Sequence, residues 1–284
     1  MDLSIIIVNY NTKDLTRKCL ASVFASSTNF VFEVLVSDNG SSDGSIEMIR
    51  SEFPQVRLLE NNANLGFSKG NNVAIEQAQG QLVLLLNTDT EVRSNTLELS
   101  VRYMYAHPDV GIMGCKVLLP NGRLHEASRR RFPNPANAFL RLFGLAKFSN
   151  YNYRNVSVDE EMEVDSVVGA FLMIKKEVID KIGLLDEEFF MYGEDLDWCW
   201  RAKEAGFKVM YYPAAEITHY LYGSSKAVAF RSVRWAYDAM KIFYRKHYAA
   251  SHNFLFNQMV YLGITLRMYL VLILNMFRAG KSVH

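Results

Sequence analysis

Apolar side chains in the first third of the chain follow two spacings, one typical of buried strands and the other of helices. Short apolar runs predict strands at residues 3–8, 32–37, 56–59 and 82–86. Between these runs, apolar side chains recur at helical spacing in residues 12–24, around Met48 and in residues 68–79. This order predicts an α/β fold with a mixed, mostly parallel sheet flanked by helices.

The pattern changes after residue 110. Pro120-Asn121-Gly122 predicts a hairpin turn between arms at residues 116–119 and 123–126. Residues 164–175 predict a strand, and residues 194–205 predict a helix that ends at Gly206. From Ser224 onward the pattern is helical throughout.

Composition narrows the class of protein. The 31 basic residues nearly balance the 30 acidic ones, which argues against a nucleic-acid-binding protein with a general basic surface. The three cysteines are far apart, so we expect reduced core thiols rather than disulfides or a metal knuckle. The N-terminus shows no leader pattern and begins at once with a predicted strand, so we expect the protein to work in the cytosol.

Polar, amide-rich loops follow all of the first four predicted strands. They are Asn9-Tyr10-Asn11, Asp38-Asn39, the segment at residues 61–67, and Asn87-Thr88-Asp89-Thr90. Each loop alone is explained as an ordinary turn. The carboxyl ends of parallel strands meet at one edge of a sheet, where open α/β sheets bind ligands. Four such loops together therefore favour a ligand site at that edge.

The fourth loop is a candidate metal site. Asp89 follows a buried strand, and with an amide oxygen of Asn87 or the carboxylate of Glu91 it suits Mg²⁺ or Mn²⁺. His219, after a strand-like segment, is a candidate third ligand. The alternatives are an aspartate that caps the next helix, and a histidine that is simply a hydrogen-bonded polar residue.

Two acidic positions suggest further roles. Asp38 can accept the N3–H of a uracil or thymine ring, although in isolation a solvated Asx-turn is the more ordinary explanation of this residue. Glu194, Asp195 and Asp197 begin a predicted helix beside the apolar segment 189–192, where a carboxylate can serve as a general base. The alternative is that these acids only stabilise the helix N-terminus. Helical spacing places Glu194 and Asp197 on one face and points Asp195 elsewhere.

Over about residues 3–225 the chain resembles glycosyltransferase family 2, and within it the bacterial rhamnosyltransferase-like enzymes of cell-surface polysaccharide assembly. The resemblance rests on ordered blocks at residues 4–11, 36–44, 64–72, 87–89, 168–171, 185–190 and 194–197. It implies a GT-A domain over residues 1–225, with a donor half at about 1–110 and an acceptor half at about 111–225. Residues 226–284 would form a C-terminal helical region that associates with a membrane or mediates oligomerisation.

The resemblance also implies an inverting transfer with a divalent metal, Mg²⁺ or Mn²⁺. Asp195 would be the catalytic base, Asp38 would contact the pyrimidine, and Asn87-Thr88-Asp89 would be a variant of the Asp-x-Asp metal motif. His219 would add a metal ligand. Donor-binding residues would be Val8, Asn9, Tyr10, Asp38, Asn64, Gly66, Phe67, Asn71, Asn87 and Thr88. The first motif position is Asn87 rather than aspartate, which leaves its own metal contact open.

The expected substrates follow from the same resemblance. The donor would be dTDP-rhamnose first and a UDP-hexose next, and the acceptor a glycan on a polyprenyl diphosphate at the cytoplasmic face of the inner membrane. The chain lacks the Gln-x-x-Arg-Trp motif of processive members, so we expect one sugar per encounter. The rival interpretations are a metal-dependent nucleotidyltransferase and a non-catalytic glycan-binding scaffold. The first would carry a glycine-rich basic loop after the first strand, where this chain has Asn9-Tyr10-Asn11-Thr12.

Residues 254–277 are apolar enough to approach a membrane span, but polar residues interrupt them. Arg267 falls in the middle, where a charge in the bilayer costs at least roughly 2.5 kcal/mol. We therefore expect a helix that lies on the membrane or packs in a homo-oligomer. Arg129-Arg130-Arg131 and the amphipathic stretch 136–148 would add a second membrane contact, or else form a solvated loop and a core-packed helix.

Overall fold

The computed structural model describes residues 1–133, 151–221 and 229–277. Its strands are β1 (Leu3–Asn9), β2 (Phe32–Asp38), β3 (Arg57–Glu60), β4 (Leu82–Leu86), β5 (Thr90–Val92), β6 (Val110–Leu118), β7 (Met162–Glu163), β8 (Phe171–Lys175) and β9 (Lys208–His219). Its α-helices are α1 (Lys13–Phe24), α2 (Ser45–Glu52), α3 (Phe67–Ile75), α4 (Thr96–Ala106), α5 (Lys176–Ile182), α6 (Glu194–Glu204), α7 (Ala229–His247) and α8 (Phe254–Phe277).

The strands form one mixed sheet in the order β3-β2-β1-β4-β8-β6-β9-β5, with β7 paired to β9. The first four of these are parallel, and β8 joins β4 in the antiparallel direction. Asn9 pairs with Asp38 and Asp38 with Glu60, so the carboxyl ends of β1, β2 and β3 are level. The predicted edge of converging polar loops is therefore confirmed.

Helices cover both faces of the sheet because alternate strand residues point to opposite sides. On one side, Ile5 and Ile7 of β1 pack in a core that also contains residues of α1, α2 and α4. On the other, Ile6 packs in a core with residues of α3, α5 and α6. The three cysteines are free and buried, as expected. The α/β prediction is confirmed.

Two predicted elements of the second half are shorter in the structure. The strand predicted over residues 164–175 is confined to β8, because Ser166 forms an isolated bridge with Arg130 and the chain then turns between Val168 and Phe171. The turn at Gly122 is present, but its second arm makes only the bridge of Leu118 to Leu124. The amphipathic stretch predicted at 136–148 lies outside the described residues.

The C-terminal helices form an antiparallel pair. Near the end of α7, the Tyr244 hydroxyl donates to Asn257 Oδ1 at the start of α8, at 2.6 Å. Near the start of α7, Val233 packs against the other end of α8, beside Met268 and Leu272. The helical prediction is thus confirmed for residues 229–277, apart from the connection that contains a 3₁₀ turn (Ala249–Ser251). The predicted boundary at residue 225 falls outside the described residues.

Candidate active site

The first two loops of the sheet edge are joined through Asn9 and Asp38, which are both fully buried. Asn9 Nδ2 donates to Asp38 Oδ2 at 2.6 Å, and the backbone N–H of Ser41 donates to Asp38 Oδ1 at 2.8 Å. Asn9 Oδ1 accepts hydrogen bonds from the hydroxyls of Thr12 and Thr16. The turn interpretation of Asp38 therefore holds for one oxygen. Each carboxylate oxygen has a further lone pair with which to accept a donor from a ligand.

The third loop packs against a distant segment of the chain. Gly66 adopts a φ of +82°, and an added Cβ there would lie 2.6 Å from the carbonyl oxygen of Phe190. The N–H of Phe67 donates to that same carbonyl at 2.7 Å. Asn64 Oδ1 accepts from the Gly66 N–H, and Asn71 Nδ2 donates to the Phe67 carbonyl. These predicted donor-binding residues thus shape the loop and anchor the segment that ends at Phe190.

The fourth loop meets His219 because β5 pairs with the end of β9. Thr90 pairs with His219 in that antiparallel register, which places the His219 ring beside Asp89. His219 Nε2 lies 3.0 Å from Asp89 Oδ1, and both side chains are buried. The structure therefore brings together two residues that the sequence separates by 130 positions.

The remaining predicted residues of this edge lie nearby. Thr88 Oγ1 accepts a hydrogen bond from the Thr12 hydroxyl at 3.1 Å, and Val8 and Tyr10 are half-buried around Asn9. The side-chain oxygen of Asn87 is buried and has no hydrogen-bond partner among the described residues. Buried polar atoms are normally paired, so an orphaned amide oxygen at a sheet edge is suited to contact a ligand.

The donor set fits a hard or borderline divalent cation. Asp89 supplies a carboxylate, Asn87 the orphaned amide oxygen, and His219 an imidazole whose Nδ1 is also unpartnered among the described residues. Oxygen ligands with one imidazole suit Mg²⁺ or Mn²⁺. Within the described ranges no three side chains of the His, Cys, Asp or Glu type cluster as a complete cage. A cation here would depend on ligand oxygens to complete its coordination.

His125 is a neighbour that the sequence did not indicate. Its ring lies edge-on to His219, with centroids 5.3 Å apart, and its Nδ1 has no partner in the described part of the chain. Burial, and then the proximity of His219, lower the pKa of His125 to about 4. The second ring is therefore neutral at physiological pH and adds a polar wall without adding charge.

Asp195 lies at the start of α6 in a pocket of hydrogen-bond donors. Its Oδ2 accepts from the Arg130 guanidinium at 2.7 Å and from the Gly169 N–H at 3.0 Å. A Cβ added at Gly169 would lie 3.7 Å from the Cβ of Asp195 and equally close to the Phe67 ring edge. These donors fix the direction of the carboxylate.

Glu194 occupies a drier environment than its neighbour. Its side chain is buried, and its Oε2 has no hydrogen-bond partner among the described residues. Burial, reinforced by the nearby charge of Asp195, raises the pKa of Glu194 to about 8. Two adjacent carboxyl groups thus have different environments: one is held by an arginine, and the other is protonated at neutral pH.

Asp197 faces away from this pair and is fully buried against the C-terminal helix α7. Its Oδ1 accepts from Lys246 at 2.7 Å and lies 2.9 Å from His247 Nε2, while its Oδ2 accepts from Arg201 at 2.8 Å. Burial opposes ionisation, but the His247 contact and the two cations outweigh it and lower the pKa of Asp197 to about 2. Asp197 is therefore an anchor between two helices, and it has no free oxygen for chemistry.

Aromatic residues before α6 complete this side of the site. Phe189 is buried beside Ala239 and Phe243 of α7, and Phe190 stacks on Trp235 of the same helix at 4.8 Å. The apolar wall inferred from the sequence is present, and it is itself supported by α7. The C-terminal helix thus belongs to the architecture of the site.

The run Arg129-Arg130-Arg131 corrects two expectations. Its first two side chains point inward rather than toward a membrane or solvent, whereas Arg131 is exposed beside the Tyr153 ring. Arg129 is 1% exposed, lies over the Tyr211 ring and donates to the carbonyls of Val156 and Ser157. Arg130 is the partner of Asp195, a role that sequence reasoning missed. A run of three arginines gave no signal of which one pairs with a catalytic candidate.

Comparison with known proteins gives a consistent assignment. The family model described as glycosyltransferase-like family 2 matches residues 2–238. A relative from Mycobacterium tuberculosis, N-acetylglucosaminyl-diphospho-decaprenol L-rhamnosyltransferase, is 27% identical over 77% of this chain and 76% of its own length. Rhamnosyltransferase WbbL from Escherichia coli is 24% identical over 88% of this chain and 96% of its own. The chain spans only 24% of another relative, an uncharacterized protein from Sinorhizobium fredii.

Solved structures show the same fold at lower identity. A mannosyltransferase from Pyrobaculum calidifontis, in complex with GDP-Man and Mn²⁺, matches with a TM-score of 0.60 at 17% identity. The match covers 86% of this chain and 64% of that one. A likeness at this identity shows the fold alone, and the fold is the GT-A fold implied by the sequence resemblance.

Proposed function

Because the chain belongs to the glycosyltransferase-like family 2, we propose that it moves a single sugar from a nucleotide-sugar donor to a glycan acceptor with inversion of configuration. The rhamnosyltransferase relatives support the class of reaction. We propose that residues 1–110 form the donor half of the chain and residues 111–225 the acceptor half. Residues 226–284 form the C-terminal region.

A pair of hydrogen bonds supports the proposal most directly. The N–H of Gly169 donates to Asp195, and the carbonyl of the next residue, Ala170, accepts from the N–H of Asn87 at 3.2 Å. Two adjacent residues therefore connect the candidate base to the candidate metal motif. A transferase needs this juxtaposition, because the acceptor hydroxyl must be deprotonated close to the anomeric carbon of the donor.

Asp195 acts as the general base. Its carboxylate accepts the proton of the acceptor hydroxyl, the hydroxyl oxygen forms a bond to the anomeric carbon, and the nucleoside diphosphate leaves with the electron pair of the broken bond. Attack opposite the leaving group inverts the configuration. Arg130 is a positioning residue, because its hydrogen bond directs the Asp195 carboxylate.

Asp89, Asn87 and His219 would hold the divalent cation, and the cation would act as a Lewis acid on the diphosphate. Asp38 and Asn9 would orient the nucleobase from the ends of β1 and β2. Asn64, Gly66, Phe67 and Asn71 would bound the donor on the side of α3, and Val8, Tyr10 and Thr88 would line the same edge.

For the substrates, we propose dTDP-rhamnose as the first donor to test and UDP-hexoses next. The acceptor is proposed to be a glycan on a polyprenyl diphosphate, since the mycobacterial relative is named for a decaprenol-linked substrate. Such an acceptor places the reaction at the cytoplasmic face of the inner membrane, in polysaccharide synthesis.

The proposal is tested by screening nucleotide-sugars with Mn²⁺, by thermal shift and by product analysis. We expect a Mn²⁺-dependent stabilisation by one donor, and slow donor hydrolysis that releases the nucleoside diphosphate. Asp89→Ala should remove the Mn²⁺-dependent shift, whereas Asp180→Ala, at a side chain 67% exposed on α5, should retain it. Release of pyrophosphate would indicate a nucleotidyltransferase, and the absence of any donor binding would indicate a scaffold; either result would contradict the proposal.

A further inference from the structure

Charge is distributed unevenly between the catalytic body and the C-terminal region. Residues 226–284 contain nine of the 31 basic residues but only one of the 30 acidic residues, Asp238. The remaining 225 residues therefore contain 22 basic and 29 acidic side chains. The net charge of the whole chain is near zero because a strongly basic C-terminal region is joined to an acidic body. A basic segment of this kind is attracted to anionic surfaces.

Helix α8 has two different apolar stripes. One stripe packs on α7 and includes Met268, Val271 and Leu272. The opposite stripe is exposed and follows helical spacing: Leu255, Met259, Leu262, Leu266, Leu270 and Ile273. The helix is long and apolar enough to cross a membrane, and only 17% of its most apolar stretch is buried. An exposed apolar band of this length marks an interaction surface.

Basic side chains of α7 lie on the flank of the same helix pair. Arg231, Arg234, Lys241 and Arg245 recur at helical spacing. The basic row, Arg231, Arg234 and Lys241, differs from the residues of α7 that contact α8, such as Val233, and from those that contact the body, such as Phe243. Arg245 continues the spacing but pairs with Glu188 of the body. Arg231 and Arg234 are exposed. The outer side of the pair thus combines a basic row with an apolar row.

The way α7 is attached determines how α8 can meet a membrane. Contacts to the body occur along α7, at Trp235, Phe243 and His247. Since α8 runs antiparallel along α7, it is held along its length rather than by one end, and its exposed stripe points away from α7. A helix held in this way enters the surface of a bilayer and does not cross it.

We propose that the α7–α8 pair docks the protein on an anionic phospholipid membrane, with the exposed stripe of α8 at the boundary between headgroups and acyl chains. The basic row of α7 faces the headgroups. The biological purpose of the docking rests on the proposed function, because a lipid-linked acceptor lies in such a membrane. The docking itself can be measured independently of that function, as binding of the protein to vesicles.

The test is co-sedimentation of the full-length protein with vesicles of phosphatidylcholine alone and with vesicles that also contain phosphatidylglycerol. We expect binding to the anionic vesicles, weaker binding to the neutral ones, and a decrease with added salt. Leu266→Glu should weaken binding about tenfold or more. Its control, Tyr105→Glu, alters a similarly exposed apolar residue on the catalytic body and should bind as the wild type does.

A second pair of variants isolates the charge. Arg231→Gln/Arg234→Gln should weaken binding to anionic vesicles about tenfold or more, whereas Arg102→Gln/Arg123→Gln removes the same charge from the body and should have little effect. Equal binding to neutral and anionic vesicles, or no binding, would overturn the proposal. So would retention after alkaline carbonate washing, which indicates a spanning helix, or a dimer in sedimentation that Leu266→Glu dissociates.

Donor hydrolysis in solution separates this inference from the proposed function. Leu266→Glu should retain the wild-type rate of hydrolysis, because α8 makes no contact with the candidate active-site residues described above. Vesicle binding by a protein that hydrolyses no donor would leave the docking intact and remove the proposed activity. Hydrolysis by a protein that binds no vesicles would do the reverse.

Discussion

The two sides of the candidate site are built in different ways. On the proposed donor side, Asn9 and Asp38 end parallel strands and Asp89 comes shortly after a third, and the strand register brings them to one edge. On the acceptor side, Asp195 begins a helix whose position depends on Arg130 and on α7. The donor side is therefore a property of the sheet, whereas the acceptor side is assembled from segments far apart in the chain.

Within one turn of α6, one aspartate is the candidate base and another holds the helix in place. Asp195 and Asp197 are two residues apart, yet the first meets the Gly169 N–H and the second meets His247. The acceptor side can therefore lose activity in two ways, through the base itself or through the anchor that holds its helix. Substitutions at the two aspartates distinguish them.

The largest expected effect is that of Asp195→Asn on transfer. The amide cannot accept the hydroxyl proton, so we expect the rate of transfer to fall by about 10²–10⁴-fold, the usual contribution of a general base. Donor affinity, measured by calorimetry, should stay unchanged because the donor side is built separately. Asp197→Asn is the matched control and should retain far more activity under conditions where it is folded. Full transfer by Asp195→Asn would remove Asp195 from the role of base.

The second-largest expected effect is the loss of stability caused by replacing Asp197, which anchors α6 to α7. Asp197→Asn leaves the cations of α7 and α6 without their buried carboxylate, and we expect a loss of about 3 kcal/mol in the free energy of unfolding. Because the pKa of Asp197 is lowered from 3.8 to about 2, its contribution is present above pH 3.8 and is lost as the pH falls through 2. The difference between wild type and variant in urea unfolding should therefore shrink in acid. If the difference in stability between wild type and variant stayed constant from neutral pH to pH 3, Asp197 would not be the anchor described here.

The smallest expected effect is the pH dependence of stability caused by Glu194, whose environment differs from that of Asp195. Its pKa is raised from 4.5 to about 8, so its stabilising contribution is complete below pH 4.5 and is lost as the pH rises through 8. Glu194→Gln stays neutral throughout. The variant should therefore gain stability relative to the wild type as the pH rises from 5 to 9, by roughly 1–3 kcal/mol. Parallel pH profiles of the urea midpoint would show that Glu194 does not titrate in this range.

Much of the donor side could be predicted from the sequence, because it depends on local pattern. Apolar runs located β1 to β4, and the polar residue after each run identified Asn9, Asp38 and Asp89. The resemblance of the ordered blocks added the family, which the comparisons confirm. The roles proposed for individual residues rest on the geometry of the site.

The acceptor side resisted the same reasoning. Arg129-Arg130-Arg131 reads as one basic run, yet the fold stacks the first on Tyr211 and directs the second to Asp195, 65 positions away. The same holds for His125 beside the candidate metal site, which has no neighbouring motif and which only the fold brings to His219. Side-chain partners at such separations are selected by packing, which local spacing does not encode.

The sequence by itself determined the α/β alternation, the polar edge, the acidic start of α6 and the apolar character of α8, because each follows from the order of residues within one element. Only the tertiary structure decided that Asp197 anchors while Asp195 faces the site, and that α7 supports the acceptor side. The physical reason is that burial and ion pairing depend on which elements meet. The partners that the fold places beside a carboxylate decide whether it joins two helices, as Asp197 does, or meets the Gly169 N–H, as Asp195 does.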